Sequence, residues 1–128
     1  MPHTVLVVDD NSVMRQALCK LFRAAHGFEI CGEASNGLEA IDMARKIRPE
    51  LVVLDLYMPG INGLETARRL RLLVNPPPVI LYSMNAEEIA TDQARECGVS
   101  AVVSKAEGIR SLITKARAIL EGSDAQAC

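Results

Sequence analysis

The sequence predicts a parallel, doubly wound α/β domain, and three observations carry that prediction. Short apolar runs alternate with segments whose apolar residues recur at helical spacing, five times from one end of the chain to the other. The runs "TVLVV" and "LVVLD" are continuous, as in strands covered on both faces. Carboxylates, a hydroxyl and an amine fall at the ends of these runs, where sheets of this class gather their chemistry.

In chain order, Thr4–Val8 is a β-branched strand, and Asn11 and Ser12 after it offer capping side chains. Met14, Ala17, Leu18, Leu21, Phe22 and Ala25 keep a helical stripe until Gly27 stops it. Phe28–Ala34 alternates apolar and polar residues and reads as a strand near the sheet edge. Leu38, Ile41, Ala44 and Ile47 mark a second helix, closed by Pro49. Leu51–Asp55 is the third strand. A loop with Pro59, Gly60 and Gly63 leads to a helix through Leu64, Ala67 and Leu70. Asn75–Pro78 is a rigid connector into the strand Val79–Ser83. The helix over Ala86–Cys97 has a thin apolar stripe of Ile89, Ala90 and Ala94, and is expected to be loosely held. Ser100–Ser104 is the last strand, and Ile109, Leu112, Ile113, Ala116, Ile119 and Leu120 make the cleanest amphipathic helix. Residues 1–121 read as one domain and 122–128 as a polar C-terminal tail.

Composition narrows the function classes. At 128 residues the chain buries a core without needing disulfides or a structural metal. Hydrophobic residues are 49% and charged residues 23%, and the net charge of −2 exerts no pull toward nucleic acid or an anionic membrane. No segment is apolar for long enough to span a bilayer. The N-terminus "MPHTVLVVDD" lacks the features of a signal peptide, so a cytoplasmic location is expected. Cys19, Cys31, Cys97 and Cys128 are scattered with no Cys-x-x-Cys spacing, which argues against a zinc centre and a disulfide framework. Aromatics are 3% and Trp is absent, against a base-stacking surface.

At the carboxyl ends of the strands stand Asp9 and Asp10, then Asp55, then Ser83, then Lys105; the second strand offers nothing comparable. Taken singly, each has a bland explanation as a helix cap, a turn residue or a solvated charge. Their common placement on one face points to a site. Two like charges about 4 Å apart repel by roughly 4 kcal/mol at an effective dielectric near 20, so clustered carboxylates raise a pKa or recruit a cation. Oxygen donors with open positions suit Mg²⁺ better than zinc. Such a pocket, faced by an ammonium and a hydroxyl, suits a phosphoryl group, with one carboxylate as nucleophile.

These residues resemble the receiver domain of bacterial two-component response regulators over about residues 4–121. The segments "VLVVDDNSVMR", "VVLDLYMPGINGLE", "VILYS" and "GVSAVVSK" carry the resemblance, in the family's order and at its spacing. It implies a flavodoxin-like five-stranded parallel sheet in the order 2-1-3-4-5 with five helices. It implies that Asp55 accepts a phosphoryl group from a phosphohistidine of a sensor histidine kinase or phosphotransfer protein. Mg²⁺ would be held by Asp10 directly, by Asp9 mainly through water, by Asp55 and by the backbone carbonyl of Tyr57. Ser83 and Lys105 would each engage a phosphoryl oxygen, and Gly60 and Gly63 would serve as backbone positions in the loop after the acceptor.

Three residues depart from the family pattern. Val102 stands where an aromatic switch residue is common, so the usual ring rotation cannot operate. Ala106 follows Lys105 where proline is usual, and Met84 follows Ser83 where a small residue is common and is expected to slow access of water to the site.

The resemblance makes the chain a phosphorylation-controlled signalling module, with chemistry limited to self-phosphorylation and autodephosphorylation. The fourth helix, fifth strand and fifth helix would meet a downstream protein, and a homodimer is compatible with this. The stretch Phe28–Glu65 also resembles receivers that carry a LuxR-type helix-turn-helix output, although the chain has no basic helix for a major groove. A haloacid-dehalogenase-type phosphohydrolase would want a second acid at Tyr57 and is disfavoured. A pseudo-receiver is disfavoured because the acid, Ser and Lys set is present.

Overall fold

Alternate residues of five strands turn to opposite faces of one sheet, and both faces are covered. The computed structural model describes residues 2–83, 91–105, 108 and 110–126. Its elements are β1 (His3–Val8), α1 (Ser12–Ala24), β2 (Phe28–Ala34), α2 (Gly37–Ile47), β3 (Leu51–Asp55), α3 (Gly63–Leu70), β4 (Val79–Ser83), α4 (Thr91–Glu96), β5 (Ala101–Ser104) and α5 (Arg110–Gln126). The strands are parallel and lie in the order β2-β1-β3-β4-β5, as expected from the sequence.

One face packs Val5, Val7, Leu51, Val53, Ile80 and Val103 against Leu18, Cys19 and Phe22 of α1 and Leu112 and Ala116 of α5. The other packs Leu6, Val8, Val52, Leu54, Val79 and Leu81 against Ala40 and Ala44 of α2, Ala67 and Leu70 of α3, and Ala94 of α4. The central strand β3 is buried along its whole length. Burial on both faces is why its sequence is a continuous apolar run.

Each of the first three helices starts on an asparagine whose side chain accepts a main-chain N–H three residues on. Asn11 takes that of Met14 at 3.1 Å, Asn36 that of Glu39 at 2.8 Å and Asn62 that of Glu65 at 2.9 Å. These bonds satisfy N–H groups that the helix geometry leaves without partners.

In β2, simple alternation fails. The register with β1 runs Val5 to Ile30 and then Leu6 to Gly32, so Cys31 is the extra residue of a bulge. Phe28 consequently packs on the α1/α5 side, whereas Ala34 packs on the α2/α3 side.

The stripe expected on α2 is borne out at Ala44 and corrected at Leu38 and Ile47. Ala40 and Ala44 face the sheet, while Leu38 and Ile47 are 60% and 40% exposed. Small residues four apart let the helix lie close to the sheet, and Leu38 and Ile41 line a groove with Leu72 and Leu73, just past the end of α3. In α4, Ala94 is buried as expected, and Ile89 and Ala90 lie outside the described residues. The backbone of α5 stays helical to Gln126, through most of the stretch expected as a polar tail.

Candidate functional site

The chain leaves β1 through Asp9 and Asp10. Asp9 is 1% exposed, and its carboxylate is held from two sides. Oδ1 accepts the Asn11 main-chain N–H at 2.9 Å, and Oδ2 accepts the hydroxyl of Tyr82. The Arg15 guanidinium, itself 3.1 Å from Glu33, donates to the Asp9 carbonyl at 2.8 Å and fixes the backbone there. Asp10 points to solvent.

Asp55 ends β3 and is 6% exposed. The ammonium of Lys105, just past β5, lies 3.3 Å from its Oδ1. Carboxylate oxygens of Asp9, Asp10 and Asp55 come within 4.8 Å of one another. Burial pushes the Asp55 carboxyl above the usual carboxylate range; Lys105 opposes that shift, and the charges of Asp9 and Asp10 add to it. The phenol of Tyr82 is pushed well above its ordinary value, first by burial and then by its bond to Asp9, so it remains a donor.

The loop after Asp55 returns close to the strand it left. The Gly63 N–H donates to the Leu56 carbonyl at 2.7 Å. A Cβ at Gly63 would strike the Asp55 carbonyl oxygen and approach the Leu56 Cα to 2.9 Å. Gly60 turns this loop with φ of 82°, in the left-handed region that favours glycine. Tyr57 lies between Asp55 and Gly60 in sequence, and its side chain is exposed.

The sheet therefore brings together Asp9, Asp10, Asp55 and Lys105 from three strand ends. Ser83 is fully buried at the end of β4, one residue beyond Tyr82, which pairs with Asp55 in the β3–β4 register. Met84 and Ala106 lie outside the described residues. Val102 is half-buried, paired with Leu81, and its carbonyl accepts the Lys115 ammonium at 3.2 Å.

Tyr82 is a site residue that the sequence reading passes over as part of an apolar strand. Its signal was available: a buried tyrosine hydroxyl needs a partner, and near a strand end the partners on offer here are carboxylates. Chemically the cluster is an all-oxygen donor set with an exposed side at Asp10, of the kind that suits a hard divalent cation such as Mg²⁺.

Comparison with known proteins agrees with this geometry. The model of the response regulator receiver domain matches residues 5–117. A putative transcriptional regulator of Pseudomonas aeruginosa is 40% identical over 119 residues, covering 92% of this chain and 56% of its own length. A protein-glutamate methylesterase/protein-glutamine glutaminase of Treponema pallidum is 40% identical over 121 residues, 91% of this chain but 30% of that protein. This chain thus spans under two thirds of either relative. Among solved structures, a LuxR-family two-component response regulator from Aurantimonas sp. SI85-9A1 superposes with a TM-score of 0.87 at 27% identity, over 95% of this chain and 87% of that one. The response regulator domain of Thermotoga maritima CheB gives 0.84 at 28% identity, over 91% and 95%. Sheet order, acidic strand ends and a family match spanning β1 to α5 agree, and the chain belongs to the response regulator receiver domain family.

Proposed function

We propose that the chain accepts a phosphoryl group on the Asp55 carboxylate from a phosphohistidine of a sensor histidine kinase or phosphotransfer protein. The observation that carries this reading is the Lys105 ammonium paired with Asp55 inside a cluster of three carboxylates. An Asp55 oxygen attacks phosphorus in line while the P–N bond breaks and its electron pair stays on the imidazole. The buried strand β3 holds that oxygen still, because all five of its residues are packed. Lys105 offsets negative charge on one side of the incoming group, and the Ser83 hydroxyl donates to one of its oxygens.

Asp9, Asp10, Asp55 and the Tyr57 carbonyl would hold Mg²⁺. When bound, the ion supplies the positive charge that lets a phosphoryl group approach three carboxylates. Beyond this transfer and autodephosphorylation, no further chemistry is assigned to the domain, and a cytoplasmic location goes with a histidine-kinase partner. Phosphorylation adds about −1.5 to −2 charges and biases a two-state equilibrium read by a downstream protein on the α4–β5–α5 face. Val102 in place of an aromatic puts the coupling elsewhere than in a β5 ring.

The test is radiolabelling by a small acyl-phosphate donor with Mg²⁺. Wild type should incorporate label that chelation with EDTA prevents, and Asp55→Asn should incorporate none. Label retained in Asp55→Asn would sink the acceptor assignment.

The superposition on a LuxR-family regulator favours a second reading of the output. In it this chain is the receiver part of a DNA-binding regulator. Sequencing of the locus beyond the codon for Cys128 decides between the two.

A further inference from the structure

The Tyr82 hydroxyl has no part in the phosphoryl chemistry above, yet it bonds to the cluster directly. Tyr82 belongs to β4 and Asp9 follows β1, with β3 lying between these strands. The register sets Tyr82 opposite Asp55, so its ring crosses the end of β3 to reach Asp9. The same ring carries the Lys105 ammonium 4.7 Å above its centroid, while that ammonium pairs with Asp55 at 3.3 Å. One aromatic side chain thus engages Asp9 through its hydroxyl and the counter-charge of Asp55 through its face.

Asp9 is almost fully removed from water. Its Oδ1 is occupied by the Asn11 N–H and its Oδ2 by the Tyr82 hydroxyl. The phenol therefore replaces water as the solvent of a buried carboxylate, and hydrogen bonds to ionised acceptors are among the stronger ones. A cation that draws on Asp9 must share Oδ2 with that donor or displace it.

Resting on the metal-site reading above, we infer that Tyr82 is a positioning residue that stabilises the ion-free cluster and competes with the divalent cation for Asp9. The Mg²⁺ affinity of the domain is thereby set lower than its carboxylates alone would give. A hydroxyl that only satisfied a buried tyrosine would affect stability and leave cation affinity alone.

Tyr82→Phe keeps the ring, its packing and its face toward Lys105, and deletes the donor. Calorimetric titration with MgCl₂ should show the Mg²⁺ Kd falling at least threefold relative to wild type. In Mg²⁺-free buffer the variant should melt lower, and the deficit should narrow as MgCl₂ is added. Equal or weaker Mg²⁺ binding overturns the inference. In an Asp9→Asn background the same substitution should leave the Kd unchanged; an undiminished effect there also overturns it. Should the Phe variant not fold, wild type with isotope-labelled tyrosine rings supplies the readout. Tyr82 resonances should move with Mg²⁺ and saturate at the calorimetric Kd, and unmoved resonances overturn the inference. A wild type that binds no Mg²⁺ sinks the metal-site reading itself. Wild-type binding matched by the Phe variant sinks only the role of Tyr82.

Discussion

The Lys105 ammonium stands 3.3 Å from Asp55 Oδ1, although the two residues end strands β5 and β3, with β4 between them. Lys105 thereby brings an ammonium to the side chains of an otherwise acidic strand-end cluster. The pair's reach across one strand means that two segments distant in sequence, "LVVLD" and "GVSAVVSK", must meet for it to form.

Removing that charge should change how Asp55 titrates. Burial and the neighbouring acids raise its carboxyl, and Lys105 opposes them. In Lys105→Met the opposition is gone, so the folded carboxyl should protonate at a still higher pH. Transfer from a small acyl phosphate needs ionised Asp55, so the acid limb of its rate profile should move to higher pH. Carboxyl-labelled NMR titration of the Mg²⁺-free domain checks the same shift directly.

Asp55 also bears on stability. A carboxyl whose folded value lies above its unfolded value binds more protons folded than unfolded. Stability is therefore lost as pH rises from the ordinary carboxylate range through the raised folded value, and the loss persists above it. Asp55→Asn removes this penalty, so without Mg²⁺ it should melt higher than wild type at pH 7. A gain of about 1 kcal/mol would appear as roughly 3–5 °C in a domain of this size. The advantage should shrink below the ordinary carboxylate range, and calorimetric scans at pH 7 and pH 3.5 compare the two regimes.

Gly63→Ala should be costly for a different reason. The added methyl meets the Asp55 carbonyl oxygen and the Leu56 Cα, both backbone atoms that cannot rotate away. A loss of about 1–3 kcal/mol is expected from such overpacking. Urea denaturation should show a lower midpoint at an unchanged slope. Because the clash bears on the acceptor residue itself, labelling of Asp55 should slow as well.

Asn11→Ala offers a contrast within a few ångströms of the site. The Asn11 side chain caps α1, whereas its main-chain N–H serves Asp9. The substitution removes only the cap, at about 1 kcal/mol. Thermal melting should register that loss while the Mg²⁺ Kd changes less than twofold.

Much of this molecule was legible in its sequence. The buried strands declared themselves by continuous apolar runs, and the placement of ligands at parallel strand ends located Asp9, Asp10, Asp55 and Lys105 before any coordinates. Residues whose placement depends on packing were harder. Leu38 and Ile47 fit a helical stripe with Ala44 as well as Ala40 does, and only the packing of α2 on the sheet buries Ala40 in their place. Tyr82 was hidden because strand patterning treats an aromatic as apolar. Its hydroxyl acquires meaning only when β1 and β4 lie on either side of β3.

The extra residue at Cys31 makes β2 a strand that changes sides midway. Its first half serves one core and its second half the other, so its length is a matter of parity. Deleting one residue there would not merely shorten an edge strand, where length changes are usually mild. It would exchange the inward and outward faces of everything from Gly32 to Ala34, presenting Glu33 to an apolar core. The Glu33 carboxylate now meets Arg15, which in turn steadies the Asp9 carbonyl. An edit at the rim of the sheet would thus travel, through one guanidinium, to the acidic end of β1.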